Sequence, residues 1–304
     1  MYLVLLLNAL LASTFVLGKI VLAYTTPLFF VGTSMVMGGL ILLGYLFFKE
    51  RSSLRVAGKD TGYFFRVSFF TIALSYGLQF WGMQYMPAFK TCFLYNISPF
   101  ASYLIAFLMF NQKMRLKKWI GLIIGFAGLI PILISTSPAE QGLGSMFFFS
   151  GAEVAVLASA VFYAYGWFDI RVLVHERNYS PLLVNGVSML LGGSGTLLAA
   201  FLIEGRFVIH NMSIFLALLI ATIMIEYLIC NNLYAMLLNR HSETFLSFST
   251  FLIPLFGAIY SCLFLQEVIT WHFFLSTFIV GVAIWFFYKA ELEEHHTMQD
   301  LMKD

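Results

Sequence analysis

Apolar residues along the chain fall into long unbroken runs, separated by short clusters of charge, proline or turn residues, with no sustained strand-like alternation. Ten runs are legible, at 2–23, 28–48, 64–86, 89–110, 117–135, 145–170, 181–203, 213–238, 244–265 and 271–289. Each is near the ~20 residues that a helix needs to cross a bilayer. The pattern predicts an all-α integral membrane protein of ten transmembrane helices. Pro27, Pro87 and Pro181 stand near run starts, where a missing N–H costs little. Pro99 and Pro254 fall inside the fourth and ninth runs and free backbone carbonyls that something else must satisfy.

The pattern repeats. A shift of 155 residues carries Pro99 onto Pro254 and Asn111-Gln112 onto Gln266-Glu267, each pair closing a helix of the same length. Leu11-Ala12-Ser13 resembles Leu157-Ala158-Ser159, and Pro27 and Pro181 each open the next helix. Five helices per half is an odd number, so the second half enters the membrane upside down. The expected organisation is two inverted five-helix repeats, 1–137 and 138–290, followed by a polar tail, 291–304. Inverted repeats are characteristic of transporters, because exchanging the conformations of the halves exchanges inward-open for outward-open.

Charge supports this count. Of seventeen Lys and Arg, fourteen fall on one side: Lys49, Arg51, Arg55, Lys59 and Arg66 between helices 2 and 3, Lys113, Arg115, Lys117 and Lys118 between 4 and 5, Arg171 and Arg177, Arg240, and Lys289 and Lys303. Lys90 and Arg206 fall on the other side, and Lys19 lies within helix 1. Positive loops remain cytoplasmic, so both termini are expected there, in a bacterial-type inner membrane. The N-terminal run lacks a basic leader and a cleavage site and is read as a retained first helix. Hydrophobic residues make up 61% and charged residues 11%, with mean hydropathy +0.88, so lipid must serve as solvent for much of the surface. A net charge of +2 suggests no nucleic-acid partner. Cys92, Cys230 and Cys262 have neither disulfide-framework nor metal spacing and read as small packing residues. No zinc-protease, phosphate-loop or Cys/His motif is present; no cofactor is expected, and ATP-driven transport by this chain alone is excluded.

Ionisable groups inside spans are costly and therefore functional candidates. Glu226, in the middle of helix 8, is the strongest, as a binding or proton-coupling group. Glu153, placed two turns into helix 6, shares a face with Ala160, Tyr163 and Trp167; a carboxylate above ring faces suits an organic cation, and an interfacial acid beside an ordinary packing stripe is the alternative. Lys19 lies on a stripe with Asn8, Ala12 and Phe15, facing an anionic group or snorkelling outward. Thr71, Ser75 and Gln79 line one stripe of helix 3, Asn96 precedes Pro99, and Ser247 and Thr250 precede Pro254. These polar groups would serve a ligand site or bond helix to helix. Gly121 and Gly125 permit close helix approach, within the fold or between subunits of a homodimer. Glu267 and Asp169 read as helix-end capping groups.

The ordered set of Gly18-Lys19, Pro27, Ala88 to Pro99, Gly121/Gly125/Gly128, Leu157-Ala158-Ser159 with Tyr163-Ala164, and Pro254 with Leu265-Gln266-Glu267 resembles the drug/metabolite transporter superfamily, in its EamA-type ten-helix form. The resemblance covers nearly all of 1–290. It departs at Asn111-Gln112-Lys113, where the family often has Gly-Glu-Arg, and at Ser34, where an Arg is frequent. It implies a central cavity lined by helices 1, 3, 4, 6, 8 and 9, with 5 and 10 peripheral. Substrates across the family include amino acids, nucleotide-like metabolites, S-adenosylmethionine, sugars and drugs. Two intramembrane acids against one base, Lys19, favour a cationic or zwitterionic cargo, and the sulfonium, amino-acid head and adenine of S-adenosylmethionine fit. The expected function is secondary transport of such a small metabolite, with a proton or an exchange co-substrate, by a monomer or homodimer. Drug or metabolite export within the same family is one alternative, and a membrane-embedded lipid-modifying enzyme is another.

Overall fold

The computed structural model describes residues 2–50, 54–110, 116–142, 145–146, 149–205, 207–238, 246 and 249–301. The apolar runs become helices: α1 (Tyr2–Val21), α2 (Pro27–Lys49), α3 (61–83), α4 (88–110, broken at Asn96-Ile97), α5 (Leu116–Ala127 continuing as Ile130–Ile134), α6 (151–176), α7 (Pro181–Ile203), α8 (212–238), α9 (Leu252–Leu265) and α10 (Trp271–Leu301). Seven of these, α1, α2, α4, α5, α6, α7 and α8, contain stretches long and apolar enough to cross a membrane. The apolar parts of α9 and α10 are shorter, and α3, which buries Ser68, Thr71, Ser75 and Gln79, is not among the seven. Phe48, Leu202, Phe264 and Phe278 are each more than two-thirds exposed, as lipid-facing side chains are.

Prolines act where the pattern placed them. Pro27 and Pro181 open α2 and α7, and Pro87 caps α4. Sixth-helix bounds differ from expectation. Residues Ser145–Met146 and Phe149–Ser150 pair as a small antiparallel hairpin, and α6 starts at Gly151 because Ser150 and Glu153 close a capping box. Glu153 is therefore in the first helical turn, not two turns inside. The tenth helix continues through residues expected as a polar tail, to Leu301.

Close packing uses glycine. A Cβ on Gly39 would meet the Leu190 nitrogen at 2.8 Å, and one on Gly193 the Val36 nitrogen at 2.8 Å, so α2 and α7 lie backbone to backbone. Gly125 of α5 faces Phe100 of α4 and Gly128 faces Val280 of α10, contacts within the chain. Beyond α2–α7, the main pairings are α5 with α10, α3 with α7, α1 with α8 and α9, α6 with α3 and α4, and α4 with α9.

Both α3 and α8 widen in the middle to π-helical geometry, at Ser68–Tyr76 and Ile223–Cys230. The same 155-residue shift that aligns the prolines carries Ser68 onto Ile223. The wider turn of α3 needs room, which glycines supply: a Cβ on Gly166 of α6 would collide with Thr71 Oγ1, and one on Gly192 of α7 would meet the Ser68 carbonyl at 2.6 Å. Such wide turns are frequent at functional sites.

Candidate functional site

The two widened segments meet through Glu226. The Tyr76 hydroxyl of α3 donates to Glu226 Oε1 of α8 at 2.9 Å. Oε2 has no partner among the described residues. Glu226 is half-buried, yet the phenols of Tyr95, Tyr163 and Tyr227 lie close enough to feel its charge. The rings form a wall beside it. Tyr95 of α4 packs on Phe15 of α1 at 5.8 Å and on Tyr163 of α6 at 5.5 Å, and Tyr163 meets Trp167 at 6.0 Å. Trp167 is 47% exposed, at the end of this wall. Ser75 Oγ stands 3.5 Å from the Tyr95 hydroxyl. Five helices thus contribute to one aromatic chamber with one acid. Such a chamber attracts a cation both by charge and by ring faces.

Other expected site residues stand elsewhere. Lys90 is buried and pairs with Glu153 at 2.6 Å and Glu140 at 2.7 Å, and it donates to the Ser135 carbonyl at 2.7 Å. The other oxygens of the two carboxylates accept backbone N–H groups, Ser150 N on Glu153 Oε2 at 2.7 Å and Ser137 N on Glu140 Oε2 at 2.5 Å. Each glutamate is the N3 residue of a capping box, Glu153 at the start of α6 and Glu140 at the start of a short helix, Pro138–Gln141, so two helix starts converge on one lysine. Glu153 is thus not beside Tyr163 and Trp167. The tally of two acids against one base is corrected: Lys90 is a second buried base, shared by Glu153 and a third buried acid, Glu140.

Lys19 likewise has no proton to spare. Its ammonium donates to the carbonyls of Met83 at 2.5 Å, Met86 at 2.9 Å and Gln84 at 3.0 Å, where α3 ends. An ammonium carries three donors, and all are used. Glu267 does the complementary work at the start of α4, accepting from the Ala88 N–H at 2.9 Å. The Asn96 amide donates to the Thr250 carbonyl at 2.9 Å, which also accepts the Ile253 N–H at 2.9 Å in place of the donor that Pro254 lacks. The gap beside Asn96 and Pro254 holds about 10 Å³, enough for one water at most. Gln79 is buried and its Oε1 has no hydrogen-bond partner among the described residues, as is the case for Thr71 Oγ1. Ser247 lies outside the described residues. No group of three or more His, Cys, Asp or Glu suited to a metal occurs among the described residues.

Sequence reading missed Tyr76, Tyr95 and Lys90. Tyr95 adjoins Asn96 and had a detectable signal. Tyr76 did not, since its direction depends on the widened turn. Lys90 had one: a lysine in an apolar run just after a helix-opening proline, with two Ser-x-x-Glu boxes downstream.

The chain is 30% identical over 264 residues to the S-adenosylmethionine/S-adenosylhomocysteine transporter of Chlamydia muridarum, covering 84% of this chain and 81% of that protein. It is 27% identical to the uncharacterized transporter YvbV of Bacillus subtilis, covering 88% and 84%. A solved crystal structure with 14% identity superposes with a TM-score of 0.63 over 94% of this chain and 93% of its own, a likeness of fold. Residues 1–134 and 150–289 both match one family, and the chain, a multi-pass membrane protein, belongs to the EamA-like transporter family.

Proposed function

We propose that the chain is a secondary carrier that exchanges S-adenosylmethionine, or a closely related cationic or zwitterionic amino-acid derivative, across a bacterial inner membrane by alternating access. The observation that carries the reading is Glu226, an intramembrane carboxylate with one oxygen unpartnered among the described residues, set in a chamber of aromatic rings. Its free oxygen takes the cationic group of the cargo, the Tyr95 and Tyr163 rings add cation–π attraction, and an adenine stacks toward Trp167. The same carboxylate can hold a proton when no cation is present, which makes proton coupling or exchange available to it. The substrates for which the chlamydial relative is named match this chemistry.

The architecture in this reading is ten spans in two inverted repeats, 1–137 and 138–290, with both termini cytoplasmic. Three features support it. One family matches each half separately. Helix pairs related by the repeat pack alike: α2 with α7, α5 with α10, α1 with α8 and α9 as α6 with α3 and α4. The widened turns of α3 and α8 coincide under the same shift. Family and relatives favour a carrier over an enzyme.

The test is uptake of labelled S-adenosylmethionine into proteoliposomes containing the purified chain. Uptake is expected to rise when the vesicles are preloaded with S-adenosylhomocysteine and to be competed by unlabelled S-adenosylmethionine. Absence of both, in vesicles whose protein is folded and inserted, sinks the substrate assignment.

A further inference from the structure

We infer that Tyr76 is a positioning residue for cargo selection: it clamps Glu226 through Oε1 and so presents Oε2 to the incoming cationic group. The inference rests on the functional reading above. Its ground is the asymmetry of the carboxylate. Oε1 accepts the Tyr76 hydroxyl at 2.9 Å, whereas Oε2 has no partner among the described residues. A glutamate side chain has several rotatable bonds, and a carboxylate free to turn would meet the cargo in many orientations. One hydrogen bond to a rigid phenol removes most of that freedom before the cargo arrives. Being charge-assisted, the bond is also among the stronger kind.

Backbone geometry aims the clamp. Tyr76 is the last residue of the widened segment Ser68–Tyr76, and Glu226 lies within Ile223–Cys230. One extra residue in a turn rotates everything beyond it by about 100° relative to a regular α-helix. The widened turn therefore determines which side of α3 Tyr76 occupies. That turn is seated against Gly166 and Gly192, which leave no room for a Cβ. Tyr76 as a whole is half-buried. A cargo cation at Oε2 can be accepted with the clamp in place, and the carboxylate is shared rather than surrendered.

The test is a double-mutant cycle of Tyr76→Phe and Glu226→Gln, read by binding of S-adenosylmethionine to the purified, folded transporter. Tyr76→Phe keeps the ring and removes the hydroxyl; it is expected to weaken binding about tenfold, with thermal stability close to that of the parent. In the Glu226→Gln background the same change is expected to alter affinity less than about twofold, since no charged oxygen remains to be aimed. In exchange assays, Tyr76→Phe should raise the half-saturating concentration more than it lowers the maximal rate. An equal loss in both backgrounds overturns the clamp and leaves Glu226 as the binding acid. Unchanged affinity in Tyr76→Phe, alongside a large loss in Glu226→Gln, does the same. A Glu226→Gln variant that binds normally overturns the functional reading itself, and with it the clamp.

Discussion

At the scale of single residues, the acids of this chain divide by what their oxygens already hold. Three oxygens of Glu140 and Glu153 are hydrogen-bonded and the fourth, Glu153 Oε1, is ion-paired with Lys90 at 2.6 Å, and Lys90, Glu140 and Glu153 are almost wholly buried. Removing one member of such a group leaves uncompensated charge, which costs about 3–5 kcal/mol. Lys90→Met is therefore expected to lower the thermal unfolding temperature sharply, and adding Glu140→Gln with Glu153→Gln should recover part of the loss. If Lys90→Met alone melts with the parent, the triad is not a structural node. Glu226 differs from Glu140 and Glu153 in having one oxygen unpartnered among the described residues. Glu226→Gln is expected to give folded, inserted protein whose exchange rate falls at least about thirtyfold, the low end for truncating one partner of a buried charged contact. Glu267→Gln retains an acceptor oxygen for the Ala88 N–H and should lose much less. Comparable rates for the two variants would remove Glu226 from the binding role. In the sequence, Glu226 was conspicuous for its depth, but the satisfied state of Glu153 was hidden. Its partner Lys90 lies 63 positions away, and only folding brings the two together.

At the scale of elements, α3 and α8 matter more than their lengths suggest. Hydrophobic periodicity located both, yet it assumes a regular turn, so it put Thr71, Ser75 and Gln79 on one stripe and gave Tyr76 no role. The widened turn is accommodated by neighbours from α6 and α7, which no local pattern records. Gly166→Ala places a methyl against Thr71 Oγ1, and the overpacking should cost about 1–3 kcal/mol. Transport is expected to fall more steeply than stability, because the displaced turn carries Tyr76. Thr71→Ala, which removes the colliding oxygen, should restore part of both when combined with Gly166→Ala. A Gly166→Ala protein with parental melting and parental exchange would show that the contact yields without consequence.

For the whole molecule, the strongest expectation concerns orientation. Fourteen basic residues against two imply cytoplasmic termini. A reporter active only in the cytoplasm, fused at the C-terminus, should be active, and the same reporter inserted after Gln141 should be silent. The reverse result defeats the orientation, and equal readouts at the two sites defeat the inverted repeat, which needs an odd number of spans between them.

Length and apolarity of the runs, proline positions, the 155-residue repeat and the charge asymmetry were all determined by sequence, because a bilayer penalises exposed backbone and charge independently of tertiary detail. Which polar groups are spent on structure was decided only by the fold. Lys19 reads as a site residue until its protons are found on the Met83, Gln84 and Met86 carbonyls. Asn96 reads as a ligand group until it is found on Thr250. Satisfaction of a buried polar atom depends on partners distant in sequence and on orientations set by packing, and neither is written in the local order of residues.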